Sequence, residues 1–226
     1  MISSSTHSST PSESSSEALL QVKQLACRRG ERVLFEQLDF SLNAGELLFI
    51  EGHNGCGKTT LLKTLANLRQ VDAGEICWQQ TPIKHLGETF RQQLAWLGHH
   101  NGIKADLSAL ENLRIYCRLR GLAVSEADLW QALDEIGLYG YEELPTHVLS
   151  QGQKRRVALS AFLLNPAPLW ILDEPFAALD VAAVDQLQTI LQQHLANQGM
   201  IILTTHQEVA LTTGVAKRLR LSDWAV

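Results

Sequence analysis

Gly52-His53-Asn54-Gly55-Cys56-Gly57-Lys58-Thr59 stands between a short apolar stretch, residues 47–51, and a segment of helical spacing, residues 58–68, with Leu61, Leu62, Leu65 and Leu68 on one face. A strand, a glycine-rich turn and a helix in that order make a phosphate cradle. The glycines let successive backbone N–H groups curl inward around anionic oxygens. The helix N-terminus adds its positive end. Lys58 is long enough to reach β- and γ-phosphates, and the Thr59 hydroxyl is a ligand for Mg²⁺. The candidate nucleotide-binding residues are therefore Gly52, His53, Asn54, Gly55, Cys56, Gly57, Lys58, Thr59 and the adjoining Thr60.

Outward from this motif the chain alternates strands with helices. Residues 20–25 and 38–42 read as edge strands around a polar turn at 28–32, and 75–78 and 94–98 as further short strands. Ser108 with Glu111, and Ser125 with Asp128, have capping-box spacing and predict helices to about Arg120 and Ile136, the first stopped by Gly121. Residues 137–145 break the pattern, and 150–164 is a third helix, ended by Asn165-Pro166. Buried strands at 168–173 and 200–205 flank a helix at 181–197. The expectation is an α/β fold: a phosphate-loop core on a largely parallel sheet, with an antiparallel β edge and a helical subdomain inserted at about 106–165.

Kinases, GTPases and many ATPases share the phosphate loop, so the choice among them rests on the second half of the chain. Leu169-Trp170-Ile171-Leu172-Asp173-Glu174 is an apolar strand ending in two carboxylates. Asp173 is placed to hold Mg²⁺ through water, and Glu174 to polarise an attacking water as general base. Upstream, Leu149-Ser150-Gln151-Gly152-Gln153 puts a serine at a helix start, where free N–H groups and the dipole favour an anion. Gly152 keeps that approach clear of a side chain.

These motifs, in this order over residues 19–226, resemble the ATP-binding-cassette family. Residues 149–153 are similar to its LSGGQ signature with Gln151 in place of a glycine, and Ala177-Ala178-Leu179-Asp180 to its SALD loop, which crosses between subunits. The resemblance implies that Ser150, Gly152 and Gln153 bind the γ-phosphate of ATP held by a second copy, and that His206 is a switch histidine contacting that phosphate. It also implies two departures. Where the family has a glutamine sensing Mg²⁺ and the membrane partner, this chain has His99-His100, so His99 is the candidate substitute, with a pH-dependent charge. Where an aromatic ring stacks on adenine, it has Cys27-Arg28-Arg29, and the plane of Arg29 or Arg28 is the candidate stacking group.

Residues 27–35, residues 97–113 and Leu169-Trp170-Ile171-Leu172-Asp173-Glu174-Pro175-Phe176 further resemble the haem-exporter ATPase family of cytochrome c maturation, the CcmA family. That resemblance implies an ATP-hydrolysing subunit on the cytoplasmic face of a bacterial inner membrane. It would be bound to integral-membrane transporter subunits and couple hydrolysis to release of a haem-loaded chaperone. The haem link rests on resemblance alone, since no CxxCH is present. The alternatives are an ATPase of another small-substrate exporter, a non-transport cassette ATPase, a small-molecule kinase and a structural nucleotide module. One uninterrupted cassette argues against the repair and translation types. Residues 149–153 go unexplained by a kinase, and intact Lys58, Asp173 and Glu174 argue against a dead site.

Composition agrees. A net charge of -5 gives no basic surface for nucleic acid. No apolar run reaches the length of a membrane span, so a membrane role comes through a partner. Cys27, Cys56, Cys77 and Cys117 show no CxxC and no metal spacing, as in a reduced compartment. Residues 1–16 are a Ser-rich tail too polar to offset the entropy of ordering.

Overall fold

The computed structural model describes residues 18–205 and 215–224. In chain order the strands are β1 (Leu20–Arg29), β2 (Arg32–Leu42), β3 (Glu46–Glu51), β4 (Ala73–Trp78), β5 (Thr81–Pro82), β6 (Leu94–Leu97), β7 (Leu169–Asp173), β8 (Met200–Thr204) and β9 (Val215–Arg220). The α-helices are α1 (Lys58–Leu65), α2 (Ile83–Leu86), α3 (Glu88–Gln92), α4 (Ala109–Leu119), α5 (Glu126–Glu135), α6 (Gln151–Leu163) and α7 (Val181–Ala196).

Five strands form a parallel sheet in the order β6-β7-β8-β3-β9. Its three middle strands are apolar along most of their length, as strands covered on both faces must be. Alternate residues sort onto two cores. Phe49, Leu97, Leu172 and Leu203 face α4–α7, with Leu133, Phe162 and Leu191. Leu48, Ile50, Ile171 and Ile202 face α1 and the second sheet, with Leu61, Phe35 and Trp78. The mixed α/β architecture is the one expected.

Register then does the positioning. Ile50 pairs with Thr204, Thr204 with Asp173, and Leu97 with Leu172. The phosphate loop after β3, the carboxylates after β7 and the residue 98–101 loop after β6 therefore leave the sheet at one level. The carboxyl ends of parallel strands are where ligands bind in such sheets.

The second sheet is antiparallel, ordered β2-β1-β4-β5. Here the sequence reading needs correction. The turn expected at 28–32 shrinks to Gly30-Glu31, because Arg28 pairs with Val33 and Arg29 with Arg32. β1 is interior, since β4 pairs along its other side. α1 stops at Leu65, and Asn67 takes φ 55 just beyond it. Four elements, β5, α2, α3 and β9, are not predicted by the sequence pattern. The β4–β5 turn uses Gln79 and Gln80, both at positive φ (47° and 66°), as a two-residue hairpin needs, with neither of the usual Asn-Gly residues. α2 and α3 are single turns. β9 buries Leu219 alone, and its Lys217, Arg218 and Arg220 pair with Glu46 and Glu51 of β3.

Between β6 and β7 lie α4, α5 and α6. Each begins with a complete capping box: Ser108 with Glu111, Ser125 with Asp128, Ser150 with Gln153. Substituting such a cap costs about 1 kcal/mol, so all three starts are sharply specified.

On the far side of the sheet His194 of α7 stacks on Trp170, ring centroids 3.8 Å apart, and its Nε2 donates to the Pro168 carbonyl (3.2 Å). Burial pushes its pKa down from 6.5 to about 4, against the opposing pull of the backbone bonds. The folded state thus holds a neutral imidazole, while the unfolded chain takes a proton near pH 6.5. The stabilisation is complete above that value and is lost as pH falls from 6.5 towards 4. Denaturant titrations at pH 7.5 and 4.5 should show His194→Gln losing ~2–3 kcal/mol less than wild type over that interval. Equal losses would mean that the imidazole keeps its ordinary affinity for protons.

Candidate active site

Gly52, Gly55 and Gly57 take φ 148°, 81° and 113°, conformations that favour glycine. At Gly57 a Cβ would also stand 3.3 Å from both Leu34 and Phe35, so the loop sits directly on β2. At Gly52 it would overlap the Cys56 sulfur at 2.6 Å. Cys56 is thus buried filling beneath the loop, while His53, Asn54 and Gly55 are exposed above it. Lys58 is 8% exposed, and its ammonium donates to the carbonyls of Gly52 (2.7 Å) and His53 (3.3 Å).

A cleft of about 250 Å³ opens above the loop. Arg29, Leu34, Asn54, Gly55, Gly57, Lys58, Thr59, Thr60 and Glu174 line it. Arg29 comes from the end of β1 and Leu34 from β2, so a flat guanidinium and an aliphatic side chain share one wall. Leu34 was not read from the sequence. Arg28 instead engages Asp72 through its backbone N–H (2.8 Å).

Beneath the cleft the Thr59 hydroxyl donates to Asp173 Oδ2 (2.8 Å) and the Thr204 hydroxyl to Oδ1 (2.7 Å). Asp173 is 2% exposed, so both carboxylate oxygens are held by hydroxyls from neighbouring elements. The Glu174 N–H donates to Thr204 Oγ1 (2.9 Å). Glu174 itself sits at φ 51, in the left-handed region, at a cost of order 1–3 kcal/mol that its surroundings must offset. Thr204 escaped sequence reading because nothing in Met200–Thr204 separates its last residue from the apolar run before it.

Ser150, Gly152 and Gln153 do not line this cleft. Ser150 is exposed at the start of α6. Its hydroxyl accepts from the Gln153 N–H (3.1 Å), and Gln153 Oε1 accepts from the Ser150 N–H (2.9 Å). The box engages the N–H groups of Ser150 and Gln153 and leaves those of Gln151 and Gly152 without a partner among the described residues. Gly152 also has a second reason to lack a side chain. A Cβ there would meet the Ala178 carbonyl at 2.6 Å, and Ala178 is itself at φ 63. Asp180 caps α7 through the Ala183 N–H and pairs with Arg156 of α6 (2.7 Å). The 177–180 loop and the start of α6 are therefore locked together within one chain.

His99 is exposed, with its ring 5.5 Å edge-on from that of His100. It lines a separate cavity of about 110 Å³, shared with Asn101, Gln151, Arg155 and Glu174. Glu174 lines that cavity too, and Thr59 and Asp173 do not. His206 and the Ser-rich tail lie outside the described residues.

The residue most completely missed is Arg155. It is 4% exposed and donates to the carbonyls of Gly98, Asp173, Glu174 and Pro175 and to the Asn101 side chain. Burial pushes its pKa down to about 10 against the pull of Asp173 and Glu174.

A glycine-rich loop on a helix start, carboxylates at the end of another strand of the same sheet and a helix-rich segment between β6 and β7 define an ATP-binding cassette. Comparison with known proteins agrees. The family model for the ABC transporter matches residues 35–177. The cytochrome c biogenesis ATP-binding export protein CcmA of Nitrosomonas europaea is 52% identical over 90% of this chain and 96% of its own. CcmA of Escherichia coli (strain K12) is 46% identical over 91% and 97%. A solved structure of a putative ABC transporter ATP-binding protein from Pyrococcus furiosus superposes with TM-score 0.79 at 25% identity, covering 92% of this chain and 99% of that one. The chain belongs to the ABC transporter family, among its ATP-hydrolysing subunits of the CcmA type.

Proposed function

We propose that this chain hydrolyses ATP between two copies of itself, and so drives an exporter of cytochrome c biogenesis from the cytoplasmic face of a bacterial inner membrane. One observation carries the two-copy reading. Lys58, Thr59 and Glu174 line one cleft, with Asp173 held beneath it by the Thr59 hydroxyl, while Ser150, Gly152 and Gln153 at the start of α6 stay out of its lining. A helix end that favours an anion needs one supplied from outside its own cleft.

In this reading the loop N–H groups and Lys58 hold the phosphates, and Arg29 with Leu34 covers the base. Thr59 and Asp173 fit Mg²⁺, a hard cation that takes one or two protein oxygens and completes its shell with phosphates and water. When bound, the ion supplies charge neutralisation at the β- and γ-phosphates. Glu174 accepts a proton from the attacking water as the new P–O bond forms and the bond to ADP breaks. His206 contacts the γ-phosphate, and residues 106–165 form the helical subdomain.

The export-protein relatives support an integral-membrane transporter subunit as partner; no helix among the described residues is long and apolar enough to cross a bilayer. His99 and its loop would meet that subunit. The cargo side would be a haem-chaperone system.

Mixing two inactive variants tests the composite site. Lys58→Ala loses the phosphate contact and Ser150→Arg fills the helix end. A mixed pair keeps one site with Lys58 from one copy and Ser150 from the other. The mixture should trap nucleotide that neither variant traps alone. A mixture as inactive as its parents, or full turnover by a dilute monomer, would remove the two-copy site.

A further inference from the structure

We propose that Arg155 is a positioning residue for hydrolysis, which sets the backbone of Glu174 and ties it to the residue 98–101 loop. The inference rests on the reading of Glu174 as general base.

A guanidinium this deeply buried is costly unless every donor is used. Here the five N–H groups find five acceptors. Nη2 reaches the carbonyls of Asp173 (2.6 Å) and Glu174 (2.9 Å), Nε that of Pro175 (3.4 Å), and Nη1 the Gly98 carbonyl (3.0 Å) and Asn101 Oδ1 (2.9 Å). The first two carbonyls belong to the peptide planes on either side of the Glu174 Cα. Their orientation is what φ and ψ of Glu174 describe, so one nitrogen fixes both angles. Glu174 is at φ 51, from which an L-residue relaxes to negative φ unless held. Relaxation would swing its carboxylate away from the cleft that it now lines. The other half of the fork grips Gly98 and Asn101, which bracket His99. Movement of that loop therefore pulls on the guanidinium that orients the base.

Four of the five acceptors are backbone carbonyls, so Asn101 is the one that substitution can remove without disturbing the rest. Lysine at 155 keeps the charge but cannot span both ends. A displaced catalytic group costs up to ~100-fold in rate.

The experiment measures kcat, KM for ATP and thermal midpoint for the full-length chain as wild type, Arg155→Lys, Asn101→Leu and Asn101→Asp, with Glu174→Gln in the same assay. Expected is a fall in kcat of roughly 10–100-fold for Arg155→Lys and about 5–10-fold for Asn101→Leu, with KM within ~3-fold of wild type. Asn101→Asp keeps an acceptor for Nη1 and should recover most of the rate lost in Asn101→Leu, at a similar thermal midpoint. If Arg155→Lys does not fold, the two Asn101 variants decide. Wild-type kcat in Asn101→Leu, an Asn101→Asp no faster than Asn101→Leu, or a rise in KM matching the fall in kcat would each overturn the proposal. Wild-type turnover by Glu174→Gln would instead overturn the underlying assignment of the base.

Discussion

Glu174→Gln is expected to lower ATP turnover by about 10²–10⁴-fold while ATP binding persists, because an amide keeps the shape of the carboxylate but cannot take the proton of the attacking water. The structure explains why the substitution should be so selective. Glu174 is held through its backbone, by the Thr204 hydroxyl on its N–H and by Arg155 on its carbonyl, and neither contact involves the side chain being changed. The glutamine should therefore occupy the same strained position without disturbing Asp173, whose oxygens are engaged by Thr59 and Thr204. On the proposed reading that hydrolysis separates the two copies, the variant should accumulate as an ATP-bound pair, visible as a shift to dimer by size-exclusion chromatography on adding ATP. Wild-type turnover would exclude Glu174 as the base.

What could be read from the chain beforehand follows the range over which each feature is encoded. β3, β7 and β8 were legible because a strand covered on both faces has to be apolar throughout. The starts of α4, α5 and α6 were legible because a capping box is complete within four residues. The phosphate loop and the Asp173-Glu174 step were legible for the same reason. β9 was not, because its partners are distant: it adds to β3 as a parallel edge strand, and Lys217, Arg218 and Arg220 meet Glu46 and Glu51 some 170 residues earlier. Arg155 was hidden likewise. Its acceptors lie 18 to 57 positions away, and nothing local marks it off from Lys154 or Arg156. Gly152 was only half read. Its lack of a side chain was assigned to an approaching ligand, whereas the carbonyl of Ala178 already fills that space.

The second large effect is expected in the cell. A strain whose only copy of this chain carries Lys58→Ala should make c-type cytochromes poorly while its other haem proteins stay normal. The Lys58 ammonium stands at the head of α1 within reach of the loop, where it donates to Gly52 and His53. Alanine removes the loop's one buried cation. A charge-assisted contact of this kind contributes about 1.5–3 kcal/mol, or roughly 10–100-fold in affinity for the phosphates. On the proposed two-copy reading, Ser150–Gln153 of the second copy would then have no anion to close upon, and the membrane partner would not cycle. A haem-loaded chaperone should accumulate with its haem attached, placing the block after loading and before transfer. Haem staining of membrane proteins from wild-type and Lys58→Ala strains measures this directly. Normal c-type cytochromes, with loss of a different export function, would remove the cytochrome c assignment and leave the cassette ATPase standing.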